Sequence, residues 1–122
     1  MDSLRNDHRD IEIRNIYQLY PDYQINVEAE QQALLRHQNI VFQYPFCWYD
    51  MPAILKHWFD VVFEHQFAYG SAGDKLKNKN FIPSFTTGSS ENSYRAVGFQ
   101  HFRIEEFCQP LEQTAFHAQM NY

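Results

Sequence analysis

The sequence predicts an α/β domain with a parallel sheet flanked by helices. Segments with the two-residue period of a strand alternate with segments of helical period, in the order strand, helix, strand, helix, strand, helix. Such alternation is typical of parallel sheets, because each helix returns the chain to the end of the sheet at which the next strand begins. A chain of 122 residues has the size of one small domain.

The first strand and the first helix are predicted from alternation and from a capping signal. Residues Ile11 to Tyr17 alternate apolar and polar side chains, which is the period of a strand buried on one face. Asn26 is a residue type that caps helices, and Glu28 and Glu30 follow it in the first turn, where the helix dipole favours acidic side chains. We expect this helix to end near Arg36.

The second strand and the second helix follow directly. Residues Asn39 to Tyr44 form a short apolar run that ends at Pro45, as a buried strand does. Asp50 can cap the next helix, and Pro52 is tolerated in its first turn. The apolar residues at helical spacing are Ile54, Leu55, Trp58, Phe59 and Val62.

The remainder of the chain is predicted as a loop, a strand and a helix. Glycines and asparagines in residues 64–80 favour a loop. Residues Asn80 to Thr87 have the composition of a third strand, although Pro83 is unusual inside one. A final helix is expected from about Arg103 to Ala118, with Pro110 interrupting it or starting it afresh.

Composition and charge exclude several classes of function. Fifteen acidic residues against ten basic ones give a net charge of −5, which does not suit a nucleic-acid-binding surface. The sequence has neither an apolar signal core at its N-terminus nor the roughly 20 consecutive apolar residues that span a bilayer. Cys47 and Cys108 lie far apart, and the histidines show no metal-binding spacing. We therefore expect a cytoplasmic protein with reduced cysteines, no metal and no nucleic-acid partner.

Groups suited to a flat ligand follow the second and third predicted strands, where ligands of open α/β sheets bind. The aromatic rings of Pro45–Tyr49 can stack on such a ligand, and the hydroxyls and glycine of Thr86–Gly88 allow its close approach. The phenol of Tyr94 can stabilise developing negative charge. Each feature alone also fits a packed hydrophobic loop, an ordinary strand-to-turn junction or a surface tyrosine. The residues indicate a nucleotide-like or flavin ligand without identifying it.

Three segments together carry a resemblance to a known family. They are LYPDYQINVEAEQQALLRHQNIVFQYPFCWYDMPAILKHWFDVVFEHQFAYG, KLKNKNFIPSFTTGSSENSY and FCQPLEQTAFHAQMNY. With these motifs the chain resembles the flavodoxin-like NAD(P)H:quinone oxidoreductases, of the flavodoxin-2 type, from about Ile11 to about Met120. Within the family it is most similar to the bacterial branch with the ancillary subunits of glutathione-gated potassium-efflux systems.

The resemblance implies a flavin enzyme that works as a homodimer. Members of the family bind FMN or FAD and pass a hydride from NAD(P)H to the flavin and then to a quinone. By motif, Tyr94 would be catalytic, donating toward a flavin carbonyl as charge develops on the ring. Trp48 and Tyr49 would border the pocket in which nicotinamide and quinone take turns. The complete set of cofactor-binding residues implied by the motifs is Pro45, Phe46, Cys47, Trp48, Tyr49, Thr86, Thr87, Gly88 and Tyr94.

This sequence departs from the family motif at two loop positions. Many relatives have a second glycine where this chain has Ser89, and mammalian-type members carry a histidine where it has Gln100.

Members of the family extend beyond the matched segments at both ends. They begin with a strand and a loop that grips the flavin phosphate, and they continue into a fifth strand and a last helix. In the flavodoxin strand order 2-1-3-4-5 the first strand is central. We therefore expect residues 1–122 to form a single partial flavodoxin-like domain that lacks the central strand, the last strand and the last helix.

Three functional hypotheses follow from the resemblance. The first is a flavin-dependent NAD(P)H:quinone oxidoreductase. The second is a regulatory or ancillary subunit that docks on a membrane transporter, peripheral at the inner face of the membrane. The third is an inactive, truncated relative.

Overall fold

The structure, a computed structural model, describes residues 10–122, which form two parallel strands with helices between and around them. The predicted class, a parallel α/β sheet flanked by helices, is confirmed. In chain order the elements are α1 (Ile16–Leu19), α2 (Val27–Leu35), β1 (Asn39–Pro45), α3 (Ala53–Val62), β2 (Asn80–Thr86), a 3-10 turn (Glu91–Ser93), α4 (Ile104–Phe107) and α5 (Gln109–His117).

β1 and β2 pair in parallel, from Asn39 opposite Asn80 to Pro45 opposite Thr86. Successive side chains point to opposite faces of the pair. On one face, the Phe42 ring lies 4.7 Å from Phe81 and 4.8 Å from Phe59 of α3, measured between centroids. On the other face, Val41 is 56% exposed and Ile82 is 42% exposed. Within residues 10–122, the core therefore lies on one side of the sheet.

The first predicted strand, Ile11–Tyr17, is wrong. Residues 11–15 have no regular secondary structure, and α1 begins at Ile16 with Asn15 as its cap. A strand requires a neighbouring strand that accepts and donates its backbone hydrogen bonds. Residues 11–15 pair with neither β1 nor β2, and a groove of about 900 Å³ is lined by this segment on one side and by β1 on the other.

The helix predicted from Asn26 is confirmed. The Asn26 side chain accepts a hydrogen bond from the Ala29 N–H at 3.0 Å, and α2 ends at Leu35, one residue before the expected position. Glu30 lies in this helix but is only 2% exposed. Glu30, which the sequence predicted only as an acidic residue of the first helical turn, is therefore also buried.

The helix predicted after Pro45 forms, but its predicted cap is wrong. The Asp50 carboxylate accepts a hydrogen bond from the Met51 N–H at 2.7 Å, and Pro52 occupies the capping position of α3. The backbone of Asp50 is paired with Cys47, which places Asp50 ahead of the helix and out of reach of its first turn. The five predicted apolar positions of this helix are all buried.

The last predicted strand and helix are confirmed with small shifts. β2 ends at Thr86, and the final helix is interrupted at Cys108, so that Pro110 lies in the first turn of α5. Pro83 is tolerated because its nitrogen points away from β1. The N–H of Phe81, which shares that direction, donates to the Asn121 carbonyl at 2.7 Å on the opposite edge.

Candidate functional site

The loops that follow β1 and β2 meet at the carboxyl ends of the two strands. The Phe46 N–H donates to the Thr86 carbonyl at 2.8 Å, which holds the two strand ends together. Beyond them lies a pocket of about 170 Å³ at the position where parallel α/β sheets bind their ligands. The lining residues are Phe46, Trp48, Tyr49, Gly88, Ser89, Tyr94 and Gln100.

A tight hairpin presents Trp48 and Tyr49 at this pocket. Cys47 and Asp50 exchange two backbone hydrogen bonds, of 2.8 and 3.0 Å. The two residues between them have φ angles of 47° and 67°, in the left-handed region that bulky side chains rarely adopt. Trp48 is 93% exposed, so its side chain contributes little packing that could offset this backbone strain. Strain of this kind is concentrated at binding and catalytic sites.

Aromatic rings form one wall of the pocket. The ring of Tyr49 stacks on that of Phe107, with centroids 5.4 Å apart and planes 27° apart. Phe46 meets Phe107 edge-on at 5.9 Å and Tyr94 edge-on at 6.3 Å. Sequence reasoning missed Phe107, because it belongs to α4 and only the tertiary fold brings it to the two loops. No local pattern distinguishes it from an ordinary core phenylalanine.

Gln100 connects the two loops across the pocket. The Tyr49 hydroxyl donates to Oε1 of Gln100 at 2.7 Å, and Nε2 of Gln100 donates to the Ser89 hydroxyl at 2.7 Å. The backbone N–H of Gln100 donates to the Ser93 carbonyl at 3.0 Å. The sequence marked Gln100 and Ser89 only as departures from the family motif, whereas the structure places both in the site.

The segment from Thr86 to Gly88 lies at the end of β2, as predicted. The Thr86 carbonyl is bonded to Phe46, and the Thr87 hydroxyl donates to the Ser89 carbonyl at 2.9 Å. A Cβ added to Gly88 would meet no atom within 4 Å, so this glycine borders open space. Of the predicted cofactor-binding residues, Phe46, Trp48, Tyr49, Gly88 and Tyr94 line the pocket, while Pro45, Cys47, Thr86 and Thr87 adjoin it in the chain.

Tyr94 supplies a polar group that the described chain does not use. Its side chain is 9% exposed and lines the pocket, and its hydroxyl has no hydrogen-bond partner among residues 10–122. Its oxygen is not among the buried unsatisfied atoms, so it is accessible from the pocket and can donate to a bound molecule.

The two cysteines offer no catalytic pair. Cys47 is exposed in the hairpin, whereas Cys108 is half-buried between α4 and α5. Burial is the largest cause that raises the pKa of the Cys108 thiol above its usual value of 9.0, although a hydrogen bond with Tyr122 lowers it. Cys108 is therefore a packed thiol.

The larger groove, of about 900 Å³, contains none of the predicted site residues. It lies at the edge of β1, between that strand, residues 10–16 and the helices α2 and α3, away from the strand-end loops. The smaller pocket is the candidate site because the strained hairpin and the Tyr94 hydroxyl converge there. Within residues 10–122, no group of three or more His, Cys, Asp or Glu side chains is placed to hold a metal ion. No helix in the same range is long and apolar enough to cross a membrane.

Two parallel strands with helices around them, and loops that meet at their carboxyl ends, define this chain as a parallel α/β protein. The model of the Flavodoxin_2 family, described as a flavodoxin-like fold, matches residues 1–122. The chain belongs to this family, that of the flavodoxin-like NAD(P)H:quinone oxidoreductases.

Two curated relatives illustrate the family. The chain is 43% identical over 113 residues to YdeQ of Bacillus subtilis (strain 168), an uncharacterized NAD(P)H oxidoreductase, and covers 57% of it with 93% of its own length. It is 42% identical over 112 residues to KefF of Citrobacter koseri, an ancillary protein of a glutathione-regulated potassium-efflux system, and covers 62% of it with 92% of its own length. The chain thus spans about three fifths of the length of these relatives.

Solved structures share the fold. General stress protein 14 of Treponema denticola, in complex with FMN, matches at a TM-score of 0.96 and 32% identity, over 99% of this chain and 70% of that one. A structure described as a thermophilic tryptophan halogenase from Streptomycin violaceusniger matches at a TM-score of 0.96 and 39% identity, also over 99% of this chain and 70% of that one. An NADPH-quinone reductase from P. pentosaceus matches at a TM-score of 0.79 and 35% identity, over 82% of this chain and 59% of that one.

Proposed function

We propose that this chain contributes the ring-binding loops of a flavin-dependent NAD(P)H:quinone oxidoreductase. The observation that carries the proposal is the convergence on one pocket of the strained Trp48–Tyr49 hairpin and the Tyr94 hydroxyl, which has no hydrogen-bond partner among residues 10–122. The FMN complex of the similar Treponema denticola protein and the NADPH-quinone reductase from P. pentosaceus support it. The pocket of about 170 Å³ is smaller than the roughly 300–1,000 Å³ of whole-ligand sites, so it fits one end of a planar ring system.

Each loop has a distinct role in this proposal. Residues Pro45–Tyr49 hold the flat ring, and Trp48 and Tyr49 border the space that NAD(P)H and a quinone occupy in turn. Thr86, Thr87 and Gly88 approach the pyrimidine end. Tyr94 is the catalytic residue, because its phenol donates a hydrogen bond toward the negative charge that develops there. FMN, or alternatively FAD, supplies the hydride chemistry when bound.

We further propose that the chain works as a homodimer. Large apolar side chains near the pocket are exposed to a degree that is unusual for loop residues. Trp48 is 93% exposed, Val97 89%, Phe99 83% and Phe102 54%. Exposed apolar side chains of this size mark protein interfaces, and a second copy would cover these residues.

The second candidate function is an ancillary role at a membrane transporter. The specific observation that favours it is the 42% identity with KefF of Citrobacter koseri. In this case the protein is cytoplasmic and peripheral at the inner face of the membrane. Association with a transporter in the absence of NAD(P)H turnover would distinguish this role from that of an oxidoreductase.

The proposed site is tested by flavin retention and by one blocking substitution. We expect the purified protein to retain FMN after gel filtration, with a visible flavin spectrum that NAD(P)H bleaches and a quinone restores. In Gly88→Leu, the new side chain enters space that no protein atom occupies, so the thermal midpoint stays within about 2 °C of the parent value while FMN is lost.

Ser90→Leu is the matched control for the blocking substitution. Ser90 is exposed in the same loop and does not line the pocket. Its leucine variant should retain FMN. A parent protein that stays colourless with both FMN and FAD, or a Gly88→Leu variant that binds FMN as the parent does, contradicts the proposed function.

A further inference from the structure

We infer that Gln100 is a positioning residue that clamps the Trp48–Tyr49 hairpin to the loop after β2 and so fixes the shape of the proposed site. The inference deepens the proposed function and rests on it for its consequences in catalysis. The clamp itself is a property of the protein alone, because both of its hydrogen bonds join side chains of this chain.

The hairpin requires an external restraint. Within the described part of the chain, two backbone hydrogen bonds between Cys47 and Asp50 hold the turn closed. Both central residues are in the left-handed region, which disfavours side chains larger than those of glycine and asparagine. Trp48 extends into solvent and contributes no packing that holds the turn. A strained conformation persists only where surrounding contacts determine it.

Tyr49 is the residue through which the hairpin is attached. Its ring stacks on Phe107 of α4, which fixes its plane but permits sliding along the neighbouring ring. Its hydroxyl donates to Oε1 of Gln100 at 2.7 Å, which fixes its position along the pocket wall. Ring stacking and the hydrogen bond together determine where the hairpin lies.

Gln100 is suited to this role because it is itself held at three points. Its backbone N–H donates to the Ser93 carbonyl, its backbone carbonyl accepts from the Phe102 N–H at 2.8 Å, and its Nε2 donates to the Ser89 hydroxyl. The amide is thus a rigid bridge, of fixed length, from the loop after β2 to the hairpin after β1. Trp48 and Gly88 line the pocket from opposite loops, so their spacing depends on this bridge.

The experiment compares variants that remove the bridge from either side. Tyr49→Phe removes the hydroxyl and keeps the stacked ring, and Gln100→Leu removes the amide at similar size. Gln100→Asn keeps the amide but is one methylene shorter. It therefore tests whether the bridge requires the amide at this position or only a polar group in the loop. The first readout is deuterium uptake at residues 47–50 in the flavin-free protein, and the second is the dissociation constant for FMN.

We expect each single variant to accelerate exchange at the Cys47 and Asp50 amides by about tenfold, the effect of losing one net hydrogen bond. FMN affinity should fall about five- to tenfold, the KM for quinone should rise, and kcat should change less than KM. The double variant should resemble either single variant, because both break one bridge. Gln100→Asn should behave as Gln100→Leu.

The outcomes separate this inference from the proposed function. If the parent protein retains no FMN, the proposed function fails, and the exchange measurement still tests the clamp. If the parent retains FMN while exchange and FMN affinity of the Gln100 variants equal those of the parent, the clamp is overturned. Full rescue by Gln100→Asn, or additive effects in the double variant, likewise overturns it.

Discussion

Glu30 is the residue that carries the most concentrated set of polar interactions in the described core. Its carboxylate accepts hydrogen bonds from Arg14 at 2.6 Å, from the Tyr20 hydroxyl at 2.6 Å and from Nε1 of Trp58 at 3.1 Å. Burial by itself raises the pKa of Glu30, but these donors together outweigh burial, so that its pKa lies below the usual 4.5. One side chain thereby joins the N-terminal segment, α2 and α3.

We predict that Glu30→Gln lowers the free energy of unfolding at pH 7 by roughly 2–3 kcal/mol, because three donors lose a shared anionic acceptor. The pKa of Glu30 is lower in the folded protein than in the unfolded one, so its stabilisation is complete above the unfolded-state pKa of 4.5. The stabilisation is lost as the pH falls through the lower, folded-state pKa. Urea unfolding between pH 3 and pH 7 measures both effects.

Glu28→Gln is the matched control, since Glu28 is an exposed residue of the same helix. Its variant should change the free energy of unfolding by less than about 1 kcal/mol, the range of a helix-dipole effect. If both variants lost the same free energy of unfolding, the buried hydrogen bonds of Glu30 would make no contribution to stability.

At the scale of elements, the two main helices begin in different ways. α2 begins with a side-chain cap, because Asn26 accepts the Ala29 N–H. α3 begins at Ala53, after Pro52 at the capping position, without a side-chain cap and is stabilised by its buried apolar face. The same type of sequence signal, an acidic or amide side chain before an apolar period, therefore has a structural role at Asn26 and not at Asp50.

We predict that Asn26→Ala lowers the free energy of unfolding by about 1 kcal/mol, through loss of the cap. Asp50→Ala should lower it by less than about 0.5 kcal/mol, since its carboxylate reaches only the neighbouring Met51 amide. Denaturant midpoints of the two variants measure the difference. Asn26→Ser keeps a capping oxygen and should restore most of the stability, whereas an Asp50→Ala loss as large as that of Asn26→Ala would contradict the assignment of the caps.

At the scale of the whole molecule, the two-stranded sheet is covered unequally within residues 10–122. Phe81 is 1% exposed and contacts the rings of Phe42 and Phe59. Its neighbour Ile82 is 42% exposed on the opposite face, beside Val41. Alternation along one strand therefore separates a core position from a surface position by one residue.

We predict that Phe81→Ala lowers the free energy of unfolding by roughly 3–5 kcal/mol, since it opens a cavity in the core. Ile82→Thr keeps a β-branched side chain and should change it by less than about 1 kcal/mol, while reducing the binding of a hydrophobic dye to the uncovered face. Thermal unfolding and dye fluorescence measure the pair. A large destabilisation by Ile82→Thr would show that this face is covered in the protein.

Local patterns in the amino-acid sequence are sufficient for α2, β1, α3 and β2, because hydrophobic periodicity and turn residues act over a few neighbouring positions. They are also sufficient to mark the loops after Tyr44 and Phe85 as ring-binding candidates. The absence of a strand at residues 11–15 depends on long-range pairing, since a strand exists only with a partner. The place of Gln100 and Phe107 in the site is likewise a matter of tertiary contact, because hydrogen bonds and ring stacking join residues that are remote in the chain.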